Sequence, residues 1–461
     1  MLHVQRNINS HFAGRIPVGS VHPVVLTKNK QYHTRQIEGM QQNTLACGLA
    51  CSEIFSGRNL AKVLRPGFEY ERAVLDALER DEEAPPLSIH TSAGVPEAMS
   101  TFIAELSHHL PWNIDPGDED WCVSLQMEGA SAVLAAVDLM IQVRHESCPA
   151  ESPREISKWK IAVGETSYHG PPSTSPGSNT PLCKEKHNQI EYPVPSPHAQ
   201  SESQEGYLNR FSTWLDENYD NVGCILIEPQ WGSTAAAFPW SPDTLRQVVA
   251  LSHQRGILVV ADEIMCGLAR HGQGTLFLSE AWNLDVDAVT FGKAVAAGAF
   301  PLSGVIMRKG AGILGRNGRS ALQSHTYSGG NIRALLTATE VLKEISTCHS
   351  RIQEKGLLLS EQMQAFQQQS AGLFRVQGMG LMWGALVNKE HNYIISGGSV
   401  KALMDSFKES CKKSKVLPYF VPAGGFMVTP LFDVESAVVT DIGSRLCQAL
   451  NLTLQWIVDL P

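Results

Sequence analysis

Two ionisable residues, Asp262 and Lys293, each follow a strongly apolar segment of the sequence. Asp262 comes directly after ILVVA (257–261), and Lys293 comes after DAVTF (287–291) and Gly292. Either residue alone would usually cap a helix or face solvent. If both segments are strands of one sheet, however, the two side chains meet at the same edge. A buried lysine in its neutral form condenses with aldehydes, and a buried carboxylate keeps a pyridine nitrogen protonated, so that the ring can act as an electron sink.

The middle of the chain alternates such apolar segments with helical patterns. GCILIE (223–228) reads as a further buried strand. Ser241-Pro242-Asp243 then predicts a helix start, and Gly256 predicts its end. Continuously aliphatic strands joined by helices indicate an α/β fold with a mainly parallel central sheet and helices on both faces.

Composition narrows the class of protein. The 461 residues include 37 Lys and Arg against 46 Asp and Glu, a net charge of −9 that disfavours binding to nucleic acid or to an anionic membrane. No apolar run approaches the ~20 residues of a membrane helix, and no secretory signal follows Arg6. The ten cysteines are scattered, without a CxxC pair or a metal-site spacing. We therefore expect a soluble, cytoplasmic protein that acts on small molecules and has no metal site.

Three segments resemble one known family. They are ADEIMCGLARHG (261–272), GTLF (274–277) and DAVTFGKAVAAGAFPLSG (287–304). Together they resemble the class III aminotransferases, pyridoxal phosphate enzymes of fold type I, and the MCG variant is most similar to the β-alanine–pyruvate type of ω-aminotransferase. The resemblance extends from about residue 95 to the C-terminus, whereas the family's early GHxHP-like stretch is not found.

The resemblance implies a large pyridoxal phosphate-binding domain over residues 76–332 and a smaller α+β domain over residues 333–461. Residues 1–75 are expected to form an N-terminal segment that packs with the small domain. The family also implies a homodimer with shared active sites.

The resemblance assigns roles around the cofactor ring. Lys293 would hold pyridoxal phosphate as a Schiff base and then transfer the proton of the reaction. Asp262 would pair with the pyridinium nitrogen. Ile264 would pack on one ring face, and Tyr168 of the family's [FY]HG motif would stack on the other. Met265 stands where many members have a glutamine that contacts the phenolic oxygen of the cofactor.

Two further segments match phosphate-binding motifs of the family. EGASA (128–132) stands where the family has SGTEA, so the N–H groups of Gly129 and Ala130 at a helix N-terminus would bind the cofactor phosphate. Thr326, in HTYSGGN (325–331), matches a threonine that reaches the phosphate of the partner subunit's cofactor. Glu228-Pro229 resembles the family's EP dipeptide, which implies a supporting role for Glu228.

The family's carboxylate-binding arginines are missing here. Pro171 occupies the position of one arginine, and Phe426 occupies the position of another. Ser233 replaces the glutamate that holds the second arginine when it is idle. The loss of both charged residues together is easier to explain than the loss of one, because either charge alone in a pocket would destabilise the protein.

We infer a substrate pocket with less charge than is usual in the family. Trp231, Trp240 and Phe426 are candidates for lining it, and Arg270 is an alternative group for binding a carboxylate. The expected amino acceptor is a hydrophobic or carboxylate-poor carbonyl compound.

The motifs leave the reaction type open. The leading interpretation is an aminotransferase that moves an amino group from an amine or amino acid to a carbonyl compound. A decarboxylase, lyase or aminomutase on the same scaffold is an alternative, because the protein chooses which bond at the substrate Cα is broken. A degenerate member without catalytic activity is a third interpretation.

Overall fold

The computed structural model describes residues 26–27, 36–37, 44–48, 54–90, 93–112, 114, 121–147, 159–165, 167–170, 188–195, 203–308 and 330–459. The β-strands within these residues are β1 (Leu26–Thr27), β2 (Gln36–Ile37), β3 (Leu45–Ala46), β4 (Trp121–Gln126), β5 (Lys160–Gly164), β6 (Gln189–Tyr192), β7 (Val222–Ile227), β8 (Leu258–Asp262), β9 (Ala288–Phe291), β10 (Ser303–Arg308), β11 (Phe374–Met379), β12 (Met382–Val387), β13 (Val416–Leu417), β14 (Tyr419–Val421) and β15 (Gly425–Val428). The α-helices are α1 (Gly57–Glu79), α2 (Glu97–Leu106), α3 (Gly129–Ser147), α4 (Gln204–Asn218), α5 (Pro242–His253), α6 (Leu278–Ala281), α7 (Ile332–Ser346), α8 (His349–Gln369), α9 (Asn392–Ile395), α10 (Val400–Lys413) and α11 (Ser436–Val458), and 3₁₀ helices span Ser107–His109 and Lys293–Ala296.

A seven-stranded sheet forms the centre of the described structure. Its strand order is β4-β10-β9-β8-β7-β5-β6. The pairs among β5 to β9 are parallel, and β10 runs antiparallel to both of its neighbours. The predicted fold class, α/β with a mainly parallel sheet, is therefore confirmed.

Helices cover both faces of this sheet, as β7 illustrates. Cys224 and Leu226 point into one core cluster together with the side chains of α3. Ile225 and Ile227 point into the other cluster, which includes side chains of α4 and α5. All four are fully buried. Successive side chains of a strand face opposite sides, so a strand between two helical layers must be apolar throughout.

The helix predicted from Ser241-Pro242-Asp243 is α5. Ser241 is its N-cap and Pro242 is its first residue. The helix ends at His253, three positions before the predicted end, and Gly256 then takes a φ of 68° that leads the chain into β8. Glycine suits this left-handed position because it has no Cβ to clash with the backbone.

A second, antiparallel sheet of four strands, in the order β11-β12-β15-β14, lies in the C-terminal part of the chain. Part of the N-terminal segment contacts this region. Strand β3 pairs in parallel with β13, and the carbonyl oxygen of Cys47 accepts a hydrogen bond from the N–H of Thr429 at 2.7 Å. Helix α1 instead packs on α7. The division of the chain at residues 75 and 332 stays a prediction. None of the described helices combines the length and apolar character that a membrane span requires.

Candidate active site

Asp262 is the last residue of β8 and lies at the carboxyl edge of the parallel strands. It is 7% exposed and lies level with Thr290 of β9. One carboxylate oxygen accepts hydrogen bonds from the Ile264 N–H at 3.1 Å and the Thr290 hydroxyl at 3.3 Å. The other oxygen lies 2.8 Å from Nδ1 of His169. The carboxylate is thus held in one orientation from three sides.

His169 is fully enclosed beside this carboxylate. Burial disfavours the charged imidazole, but the hydrogen bond with Asp262 and the charges of Asp262 and Glu228 outweigh it and raise the pKa of His169. A protonated His169 would stabilise the ionised form of Asp262. Apart from the histidine of the SYHG motif, no feature of the sequence predicts this pair.

Lys293 follows β9 at the same edge and begins a 3₁₀ helix. Because β8 and β9 are adjacent and parallel, the structure brings Lys293 and Asp262 to neighbouring strand ends. The expectation that Lys293 is buried is wrong for the single chain, where the residue is exposed. The backbone turns away from the sheet at this point, and the side chains of Ala294, Val295 and Ala296 fill the core instead.

The backbone of Lys293 is in the left-handed region, with a φ of 48°. A residue with a Cβ carries a strain of about 1–3 kcal/mol there, and such strain tends to persist at functional sites. The preceding Gly292 reaches this turn in an extended conformation, with φ near 180°.

The N-terminus of α3 lies against the Lys293 turn. A Cβ added to Gly129 would come within 2.8 Å of the Ile264 side chain, and one added to Gly292 would lie 3.8 Å from the Gly129 Cα. Gly129, Ile264 and Gly292 are therefore in close contact. The first N–H groups of a helix have no partner within the helix, and together they attract an anion.

Glu128 and Ser131 organise the turn before this helix. The Ser131 hydroxyl donates to the Glu128 carbonyl oxygen at 2.8 Å and accepts from the Glu128 N–H at 3.3 Å. The Glu128 side chain is exposed. An acidic residue beside an anion site has to face solvent in this way, since like charges repel.

Tyr168 lies at the open side of the site. Its side chain is 47% exposed, and its N–H donates to Glu228 at 3.0 Å. Partial burial raises the pKa of Tyr168, and so do the nearby Tyr419 and Glu128. Tyr419 comes from β14 of the second sheet and carries no sequence motif, so only the tertiary structure reveals it.

These residues fit pyridoxal phosphate. Asp262 offers a buried, oriented carboxylate for a ring nitrogen, and Lys293 offers an exposed amine at the next strand end. Gly129 begins a helix that can bind a phosphate, while Ile264 and Tyr168 supply apolar surface for a planar ring. The chemistry of this donor set is what a phosphorylated pyridine aldehyde requires.

The four candidate substrate residues, Arg270, Trp231, Trp240 and Phe426, are buried in the core. Arg270 is 2% exposed, and its guanidinium donates to the carbonyl oxygens of Pro430 at 3.0 Å and Leu381 at 3.4 Å. This buried arginine holds backbone segments together, so it is not placed as an anchor for a substrate carboxylate.

The aromatic candidates are also packed into the core. The Trp231 ring stacks on Phe238 and lies 5.3 Å from Trp240 between ring centroids. Phe426 is fully buried against other phenylalanines of the C-terminal part of the chain, such as Phe407 at 5.2 Å between ring centroids. In this conformation none of these rings faces an open pocket, which does not support their expected contact with substrate. Pro171 and Thr326 lie outside the described residues.

Glu263 is a second buried carboxylate next to Asp262. It accepts hydrogen bonds from the N–H groups of Leu278 at 2.6 Å and Ser279 at 2.7 Å, at the start of α6. Burial raises the pKa of Glu263 from its ordinary 4.5 to about 7, although these hydrogen bonds act in the opposite direction. The residue therefore holds the loop after β8 closed.

This raised pKa predicts a pH-dependent stability. The contribution of Glu263 is complete below its unfolded pKa of 4.5 and is lost as the pH rises through about 7. Between pH 5 and 8 the wild type should lose up to about 3 kcal/mol more free energy of unfolding than Glu263→Gln. Urea denaturation at each pH measures this difference. Glu354→Gln, at an exposed site, should follow the wild type, and parallel curves for the wild type and Glu263→Gln would contradict the prediction.

Comparison with known proteins identifies the family. The family model described as Aminotransferase class-III matches residues 70–412. Aminotransferase PigE of Serratia sp. (strain ATCC 39006) is 27% identical over 279 residues, which are 59% of this chain and 29% of PigE. The uncharacterized aminotransferase YodT of Bacillus subtilis is 26% identical over 292 residues, 58% of this chain and 62% of YodT. The matches thus span less than two thirds of either relative.

The fold is shared with a solved ω-transaminase. The structure of the Pseudomonas jessenii enzyme in complex with PMP covers 98% of this chain and 98% of its own, with a TM-score of 0.76 and 16% identity. The predicted fold type I of pyridoxal phosphate enzymes is confirmed by this likeness. Since the family model covers most of the chain, from Tyr70 to Lys412, this protein belongs to the class III aminotransferases, a family that uses pyridoxal phosphate.

Proposed function

We propose that the protein is a pyridoxal phosphate-dependent aminotransferase that moves an amino group from an amine or amino-acid donor to a carbonyl acceptor. The observation that carries the proposal is the placement of Asp262 and Lys293 at the ends of adjacent parallel strands, beside the N-terminus of α3. Family membership supports the same reaction.

The residues divide the work of this reaction. Pyridoxal phosphate, when bound, supplies an electron sink for the carbanion at the substrate Cα. Asp262 would pair with the pyridine nitrogen, and His169 orients Asp262. The amine of Lys293 would hold the cofactor and would act as general base and acid for the proton at the substrate Cα. Ile264 and Tyr168 would supply apolar surface for the ring.

A half-reaction tests the type of chemistry. Purified protein loaded with pyridoxal phosphate is mixed with an amino donor in the absence of an acceptor. An aminotransferase leaves pyridoxamine phosphate and a keto product, whereas a decarboxylase, lyase or aminomutase returns the aldehyde form of the cofactor. Failure to form a borohydride-reducible bond with the cofactor would instead identify a non-catalytic member.

A pocket poor in arginine is the second part of the proposal. Pro171 and Phe426 replace two arginines of the family, and Nη1 of the buried Arg270 donates to two backbone carbonyl oxygens. Carboxylates are bound best by the planar fork of arginine. We therefore expect a hydrophobic or carboxylate-poor carbonyl acceptor. A donor and acceptor screen in which glutamate and 2-oxoglutarate are the best pair would contradict this part.

An apolar stripe on α1 supports a homodimer. Phe68, Leu75 and Leu78 are 51%, 49% and 59% exposed, and their spacing places them on one face of the helix. The Phe68 ring also contacts Phe300, a few residues after the Lys293 turn. Contiguous exposed apolar side chains usually mark an interface. The stripe therefore supports the homodimer that the family resemblance implies.

This assembly predicts the behaviour of charged variants. The double substitution Leu75→Arg and Leu78→Arg should convert a dimer into a monomer, because two buried guanidinium groups without partners would destabilise the interface. Light scattering after gel filtration gives the molecular mass.

Leu357→Arg, at a leucine on α8 that is 65% exposed, is the matched control and should stay dimeric. A monomeric wild type, or a double variant that remains a dimer, would contradict this interface.

A further inference from the structure

Glu228 joins two loops of the site through one carboxylate. It is the first residue after β7 and is 6% exposed. One of its oxygens accepts the N–H of Tyr168 at 3.0 Å, and the other accepts the N–H of Gly232 at 3.2 Å. Because charge-assisted hydrogen bonds are strong, a buried carboxylate that accepts two of them holds together segments that are far apart in sequence.

The first loop carries a face of the cofactor site. Its backbone is fixed at Tyr168 by Glu228, and the next side chain, His169, is fixed by Asp262 at 2.8 Å. Two successive residues of this loop are thus each held by a buried carboxylate. The Tyr168 ring, which remains 47% exposed, is the part of the loop left to face the open site.

The second loop reaches the opposite wall. A Cβ added to Gly232 would lie 2.5 Å from the Met265 sulfur and 3.7 Å from a Glu228 oxygen. Gly232 therefore fits between Glu228 and Met265, which follows Ile264 in the loop after β8. Glu228 contacts the loop of Tyr168 directly and reaches Met265 through Gly232. Its position accordingly sets how far apart Tyr168 and Met265 lie.

We propose that Glu228 is a positioning residue that fixes the width of the slot between Tyr168 on one side and Ile264 and Met265 on the other. The proposal rests on the proposed function, because the slot is defined by a planar cofactor. It adds a role that acts through the backbone of two loops rather than through contact with the reacting atoms. His169 and Asp262 are close enough to feel the charge of Glu228, so the same residue also affects the electrostatics at the ring nitrogen.

The chain offers a control at the opposite end of the same sheet. Asp287 lies just before β9, where one carboxylate oxygen accepts the N–H of Val259 at 2.7 Å and lies 2.9 Å from the imidazole of His253. These partners lie away from the slot. Glu228→Gln and Asp287→Asn each replace a carboxylate by an amide with only one acceptor oxygen.

The experiment measures cofactor binding and its spectrum in both variants. Glu228→Gln should weaken binding of pyridoxamine phosphate, followed by tryptophan fluorescence, by roughly tenfold, the effect of one lost charge-assisted hydrogen bond. It should also shift the midpoint of the pH titration of the visible absorption of the lysine-bound cofactor. Asp287→Asn, measured on folded protein, should leave both quantities within about twofold of the wild type, a change below about 0.5 kcal/mol.

A second variant keeps the test decisive if Glu228→Gln does not fold. Glu228→Asp retains the charge but is one methylene shorter, so it cannot reach both N–H groups and should weaken cofactor binding in the same direction. Wild-type affinity and spectrum in the variant that folds would overturn the proposal, and so would equal losses in the Glu228 and Asp287 variants. A wild-type protein that forms no lysine-bound cofactor would instead contradict the proposed function.

Discussion

Replacing Lys293 by alanine is expected to abolish the visible absorption of the lysine-bound cofactor and to lower kcat/KM by at least about 10³-fold. The amine at this position is both the attachment point and the group that moves the proton. Among the described strands, β8, which ends at Asp262, lies between β7 and β9. Lys293 follows β9 and therefore lies at a strand end next to Asp262. Absorption spectra and single-turnover kinetics on protein loaded with pyridoxal phosphate measure the two effects separately.

Lys343→Ala is the control for this variant. Lys343 lies on α7 and pairs with Glu340 at 2.8 Å, with about half of its side chain exposed. Its removal should leave the spectrum and the kinetics unchanged, since exposed ion pairs contribute at most about 1 kcal/mol to stability. A Lys293→Ala protein with an unchanged cofactor spectrum would overturn the assignment of the site.

Asp262→Asn should lower kcat/KM by about 10²- to 10⁴-fold. The substitution preserves the size of the side chain but removes the charge that holds a proton on the ring nitrogen. A group that manages a proton in the transition state typically contributes about 10²- to 10⁴-fold to the rate. His169 would also lose the partner that raises its pKa. Steady-state kinetics, together with the titration of His169 by NMR, check both consequences.

A second aspartate–histidine pair provides the control. Asp287 lies at the opposite end of the same strands, 2.9 Å from the His253 imidazole, and it accepts the Val259 N–H at 2.7 Å. Asp287→Asn should destabilise the fold but leave kcat/KM per folded molecule close to that of the wild type. If both variants lose activity equally, Asp262 acts through stability and not through the cofactor.

The sequence alone determined the layers of the fold. Val259, Val260 and Ala261 are aliphatic without alternation, and only a strand covered on both faces suits such a run. The same logic located α5 from Ser241 and Pro242, to within three residues at its end. The shared edge of Asp262 and Lys293 also followed from the sequence, because adjacent parallel strands end on the same side of a sheet.

The tertiary structure decided which side chains face the site. The sequence motif identified Lys293 as a candidate, but it did not predict that the side chain is exposed or that the backbone is left-handed there. Position in a family motif likewise drew attention to Arg270 and Phe426, which the structure places in the core. The burial of a side chain depends on all the elements that pack around it. The local sequence contains only some of these elements, so it cannot predict burial reliably.

The bonds that orient the site are the least accessible to sequence reasoning. Glu228 meets Tyr168, and Asp262 meets His169, across long stretches of chain. Local patterns reflect backbone preferences and the periodic burial of apolar side chains, and these act over a few residues. A hydrogen bond between distant segments forms only when packing brings its donor and acceptor within about 3 Å, so the three-dimensional arrangement alone decides it.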